Sequence, residues 1–128
     1  MTRHIATATL VVPDYDEAIG FYCGALGFEL LEDTALPDGK RWVRVAPGPS
    51  GAALLLARAD TDEQRNAIGN QTGGRVSFFL QTDDFDRDCA RYAAAGVAFL
   101  EDPRQEAYGK VAVFRDPFGN KWDLIQPA

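Results

Sequence analysis

Histidine is almost missing from this chain: His4 is the only one in 128 residues, and it lies near a terminus expected to fray. Cysteine is nearly as scarce. Cys23 and Cys89 both fall in expected helices, and neither has a histidine nearby in sequence, so a nucleophilic thiol is left without a visible base. They read as buried or half-buried thiols of a reducing, cytoplasmic setting. There is no basic run to serve as a phosphate footprint, and nineteen acids against thirteen bases leave a net charge of −6. Nucleic acid is therefore not an expected partner. No window approaches about eighteen uninterrupted apolar residues, so no membrane partner or span is expected. The opening "MTRHIATATLVV" is too broken by Thr and Ala to read as a signal peptide. What is present, 46% apolar and 25% charged residues, is ordinary for a soluble globular protein, and 128 residues suit a single compact domain.

The chain is written twice. "LLED" at 30–33 recurs as "FLED" at 99–102, and Gly27 maps to Gly96 by the same shift of 69. Upstream, "DYDEAIGFY" (14–22) matches "DFDRDCARY" (84–92) at a shift of 70, because the second helix is one residue shorter. Downstream, "PSG" (49–51) matches "PFG" (117–119) at a shift of 68. Each copy predicts strand, helix, strand, strand, strand: module 1 over about 5–58, a linker over 59–74, and module 2 over about 75–127.

Local signals agree. "TATLVV" alternates small polar with apolar residues, and Asp14 with Glu17 three residues on reads as a capping box. Ala18, Ile19, Tyr22 and Leu26 mark one helical face, which Gly27 ends; Phe85, Cys89 and Tyr92 make the matching stripe before Gly96. "FELLED", "KRWVRVA", "GAALLLA", "VAFLED", "KVAVFRD" and "NKWDLI" read as strands. "DPFGN" (116–120) is a tight turn. The first half of the linker suits a short helix and its Gly-rich end a mobile flap.

A βαβββ unit covers one face of its sheet with its helix and leaves the other bare. Two such sheets are expected to cup into a barrel-like α+β architecture with helices outside and a cleft within. Period-2 alternation assigns the faces. Val43 and Val45 take the helix side, so Trp42 and Arg44 are open; Leu10 and Val12 leave Thr7 and Thr9 open. Val76, Phe78 and Leu80 leave Arg75, Ser77, Phe79 and Gln81 open, and Trp122 and Leu124 leave Asp123 pointing into the cleft.

Paired modules of this kind, with "VVPDYDEAIGFYCGALGFEL" in the first and "VFRDPFGNKWDLIQ" closing the second, resemble the vicinal oxygen chelate superfamily. That group includes glyoxalase I, the fosfomycin- and bleomycin-resistance proteins and the extradiol dioxygenases. The resemblance covers nearly the whole chain and implies a homodimer. It also implies four metal-ligand places, held by His, Gln or Glu in metal-using members. Mapped through the motifs they are Thr7, Leu55, Ser77 and Asp123, which supplies one plausible ligand of four. No metal or other cofactor is therefore expected. A lesser reading has Asp123, Glu106 and water holding a hard cation such as Mg²⁺.

Three functions follow. The leading one is a small-molecule binder in the manner of bleomycin-resistance proteins, with Trp42 and Phe79 stacking on a planar ligand. Arg44, Arg75, Gln81 and Asp123 then serve as polar anchors, beside Thr7, Thr9, Leu55, Ser77 and Glu106. An internal Arg44–Asp123 ion pair that merely fills the cleft is the competing account. The second is a lyase, isomerase or dioxygenase-like enzyme with Asp123 as base and Tyr108 donating to a developing enolate, against a plain polar loop at "EAYG". The third is an interaction module using the 59–74 segment or a strand edge.

Overall fold

The computed structural model describes residues 2–128, which divide into two compact units meeting in sequence between Ile68 and Gly69. The first holds β1 (Thr7–Val12), α1 (Tyr15–Ile19), β2 (Glu29–Ala35), β3 (Arg41–Ala46), β4 (Ala53–Arg58) and α2 (Asp62–Ala67). Its sheet runs β1-β4-β3-β2, with β1 parallel to β4 and the other pairs antiparallel. The second holds β5 (Val76–Gln81), α3 (Phe85–Ala94), β6 (Ala98–Phe99), β7 (Arg104–Glu106), β8 (Gly109–Arg115) and β9 (Lys121–Pro127). Its order is β5-β9-β8-β6, with β7 also on β8. The two orders match element for element, so the duplicated α+β reading holds. Each sheet is open, and neither closes into a barrel.

Asp14 and Asp84 cap the equivalent helices, accepting from the backbone N–H of Glu17 at 2.8 Å and of Arg87 at 3.1 Å. The extra residue of the first copy is absorbed just after α1. Gly20–Ala25 is a π-helical turn, closed by the Leu26 N–H on the Phe21 carbonyl at 3.0 Å. An i→i−5 ring takes in one more residue than an α turn without moving the ends far. In the linker, Thr61 caps α2 by accepting from the Gln64 N–H at 3.1 Å, while Gln64 Oε1 accepts from the Asp60 N–H at 2.7 Å.

Two expectations need correction. "VAFLED" pairs only at Ala98 and Phe99, because Pro103 has no N–H to extend the ladder; β7 resumes the pairing beyond it. In the gap Glu101 Oε1 accepts the Val113 N–H at 3.1 Å, a carboxylate standing where a strand carbonyl would. On α1, Ile19 is only half-buried, and Tyr15 takes the buried place.

Strand parity is as the alternation predicts. Leu10, Val12, Val43, Val45 and Leu56 are fully buried in the first unit, as are Ala112, Phe114 and Leu124 in the second; Val111, on the other face of β8, is buried as well. Phe114 stacks on Trp122 with ring centres 6.0 Å apart and planes 11° apart, and Tyr92 meets Phe114 edge-on at 5.6 Å. The Asp116–Asn120 turn is locked: Asp116 accepts from the Phe118 and Asn120 N–H groups at 3.0 and 2.8 Å and from Asn120 Nδ2 at 2.7 Å. No helix among the described residues is long and apolar enough to cross a membrane.

Gly109 opens β8 at φ +146°, and a Cβ there would collide with the Gln126 carbonyl oxygen of β9. Gly27 also has positive φ, +74°, but faces open space. Gly109→Ala is expected to cost at least about 2 kcal/mol and Gly27→Ala about 1 kcal/mol. Urea denaturation measures both, and equal costs would show that the β8–β9 approach is not tight.

Candidate functional site

The bare face of the first sheet gathers Thr9, Leu55, Arg44 and Glu32 into one cross-strand row, with Thr7 and Trp42 on neighbouring rows. Arg44 is not a spare cation. Its Nη1 donates to Glu32 Oε1 at 2.6 Å and its Nε to Thr7 Oγ1 at 3.2 Å, so its charge is matched on its own sheet.

A cavity of about 300 Å³ opens beside this row, with Thr9, Val11, Trp42, Leu55 and Ala57 among its lining residues. Trp42 is 40% exposed, an unusual allowance for so large an apolar ring on a sheet face. The rest of the wall includes residues that sequence reasoning did not single out: Tyr15, Lys40, Arg41, Arg58, Asp60 and Gln64. Arg41 is gripped by Asp33 (3.1 and 2.7 Å) and by Asp16 at 2.9 Å, which holds the Asp33 carboxyl below its ordinary range. The Arg41 N–H donates to the Tyr15 hydroxyl at 3.1 Å and pins the ring. One signal for Tyr15 was available: Phe85 occupies the same place in the second copy, aromatic and buried. Nothing comparable marked Asp60 or Gln64, which reach the cavity because α2 is capped beside it.

In the second unit Phe79, Asp123 and Val113 form one row, and Gln81, Ile125, Val111 and Arg104 the next. Phe79 is 69% exposed. Asp123 is buried, and its Oδ1 has no hydrogen-bond partner among the described residues. Burial pushes its carboxyl above the ordinary range; Arg104 pulls it partly back, and Glu101 adds to the upward push. Glu106 is engaged by Arg104 Nη1 at 2.6 Å, and Ser77 Oγ lies 3.2 Å from Thr72 Oγ1. Tyr108 is exposed in the turn between β7 and β8. Arg75 lines a second, shallower cavity of about 360 Å³ with Leu100, Glu101 and Lys121; Asp123 is not part of its wall. The expected site residues thus form two clusters, one on each sheet.

Comparison with known proteins decides the family. The Glyoxalase/Bleomycin resistance protein/Dioxygenase superfamily matches residues 4–124. The chain belongs to this superfamily. An uncharacterized protein of Shewanella frigidimarina (strain NCIMB 400) is 53% identical over 128 residues, spanning 98% of this chain and 95% of its own. Among solved structures, TnmS3, an antibiotic binding protein from Streptomyces sp. CB03234, is 34% identical with a TM-score of 0.80, covering 99% of this chain and 98% of its own. A glyoxalase/bleomycin resistance protein/dioxygenase superfamily member from Sphaerobacter thermophilus DSM 20745 is 26% identical with a TM-score of 0.78, covering 98% of each chain.

The four places that the resemblance assigns to metal ligands do not fit a transition metal here. Thr7 and Ser77 offer neutral hydroxyls already in hydrogen bonds, Leu55 offers no donor, and Asp123 is a lone carboxylate. Among the described residues no group of three or more His, Cys, Asp or Glu side chains is placed to hold a metal ion.

A raised aspartate pKa has a stability signature. The protonated form is the one the fold favours, so the contribution is full at low pH and lost as pH rises through the folded value. Asp123→Asn is therefore expected to stabilise the protein near neutral pH, by up to about 1 kcal/mol. The gain should vanish as pH falls below the ordinary aspartate value of 3.8. Thermal unfolding of both proteins between about pH 3 and 7 checks this; a pH-independent difference would remove the buried charge as its cause.

Proposed function

We propose that this protein binds and sequesters a mostly apolar small molecule in the cavity of its first unit, without the metal centre of its catalytic relatives. One observation carries the reading: an indole ring, Trp42, stands 40% exposed in the wall of a cavity of about 300 Å³. That volume is at the lower end of the range for small-molecule pockets. The 34% identity to an antibiotic binding protein over nearly the full length of both chains supports it. Aromatic stacking on Trp42, with contact to Leu55 and Val11, supplies the affinity, and Thr9 supplies polar contact at the wall.

The other tryptophan, Trp122, is 3% exposed, so ligand quenching of indole fluorescence reports chiefly on Trp42. Titration with bleomycin and a panel of polycyclic aromatic antibiotics should yield at least one saturable quencher. Calorimetry of Trp42→Ala with that compound should show affinity weakened by at least about tenfold. Unchanged affinity would move the site elsewhere. Protein purified without chelator should carry no stoichiometric Ni, Zn, Fe or Mn by elemental analysis.

A second reading is favoured by Asp123. A desolvated carboxylate with a free oxygen atom and a raised pKa is equipped as a general base in a lyase or isomerase reaction. For any substrate that is turned over, Asp123→Asn should lower kcat/KM by at least about a hundredfold; an unchanged value takes Asp123 out of the chemistry.

A further inference from the structure

The cavity wall of the first unit carries three cations, and they are not equivalent. Arg41 is matched by two carboxylates, and Lys40 Nζ lies 3.8 Å from Asp60 Oδ2. Arg58, the last residue of β4, is in no ion pair among the described residues. Its guanidinium carbon sits 5.2 Å from the centre of the Tyr15 ring, and its Nη2 makes one long bond, 3.4 Å, to the Gly39 carbonyl. A guanidinium has five N–H donors in a planar fork, so most of them are unspent.

The arrangement holds that fork in place. Tyr15 is 6% exposed and its hydroxyl is fixed by the Arg41 backbone, so the ring is a rigid shelf for the Arg58 side chain. Arg41 lies at the same 5.2 Å from that ring, but Asp33 and Asp16 offset its charge, which spares Arg58 most of the like-charge repulsion. A cation without a carboxylate, beside an apolar wall, is a seat for an anion.

We propose that the ligand of this cavity carries an anionic group, a carboxylate, sulfonate or phenolate, that docks on Arg58 while its apolar body lies against Trp42 and Leu55. The inference rests on the binding function proposed above and narrows its ligand class. Arg58 then sets specificity, and Tyr15 positions it.

Two dyes that share a ring system test it: anionic 8-anilinonaphthalene-1-sulfonate and its neutral analogue N-phenyl-1-naphthylamine. Both are titrated by fluorescence into the wild-type protein, Arg58→Met and Trp42→Ala, each first shown to be folded by circular dichroism. The anionic dye should bind the wild type about tenfold more tightly than the neutral one, and only its affinity should fall with added NaCl. Arg58→Met should weaken the anionic dye about tenfold and leave the neutral dye unchanged, whereas Trp42→Ala should weaken both. An Arg58→Met protein that binds the anionic dye as tightly as wild type, or that loses both dyes equally, overturns the role of Arg58 while the cavity stands. Equal salt response of the two dyes in the wild type overturns it without recourse to a variant. If neither dye binds, or Trp42→Ala changes neither, the cavity reading fails and this inference falls with it.

Discussion

In each unit the helix that follows the first strand covers one face of the sheet, and that contact assigns most of the strand side chains. Val43, Val45 and Leu56 are buried to zero exposure under the first helix, so Trp42, Arg44 and Leu55 are turned the other way by the pleat. In the second unit Phe114, Trp122 and Leu124 pack inward, and Asp123 has no choice of side. The bare faces are a consequence of where the apolar residues had to go, and the candidate sites inherit their geometry from that.

What distinguishes one charged residue from another around these sheets is whether its charge is met. Arg44 has Glu32, Arg41 has Asp33 and Asp16, and Arg104 has Glu101 and Glu106. These pairs hold the sheets' surfaces in one arrangement and have little left to offer a ligand. Arg58 and Asp123 differ. An exposed cation without a partner costs little because water solvates it, whereas a buried carboxylate oxygen without a partner forfeits its hydration. The asymmetry sets the two residues apart: Arg58 makes one long hydrogen bond and is otherwise left to solvent, whereas Asp123 keeps a buried oxygen without a partner among the described residues.

The duplication also shows how two copies of one plan diverge. The first absorbs an extra residue as a π-helical turn, and the second breaks its outer strand at Pro103 and patches the gap with the Glu101 carboxylate. The sheet orders survive both changes because neither touches the strands that pair β1 with β4 or β5 with β9.

The succession of strands and helices along the chain, the two caps, the turn at Asp116–Asn120 and the face of nearly every strand residue were legible in the order of the amino acids. They depend on period and on capping, which act between near neighbours, and on one internal repeat that shows each pattern twice. The short reach of β6 was legible in principle from Pro103. The partners of Arg44, Arg41 and Glu106 were not, nor was the cavity formed by Tyr15, Arg58 and Gln64. Those residues come from a helix, a strand end and the linker, with Tyr15 far from the other two along the chain, and long charged side chains choose partners by distance in space. Alternation along a strand therefore settled which residues face away from the helices; only the folded sheet decided which of the charges around it are cancelled and which are not.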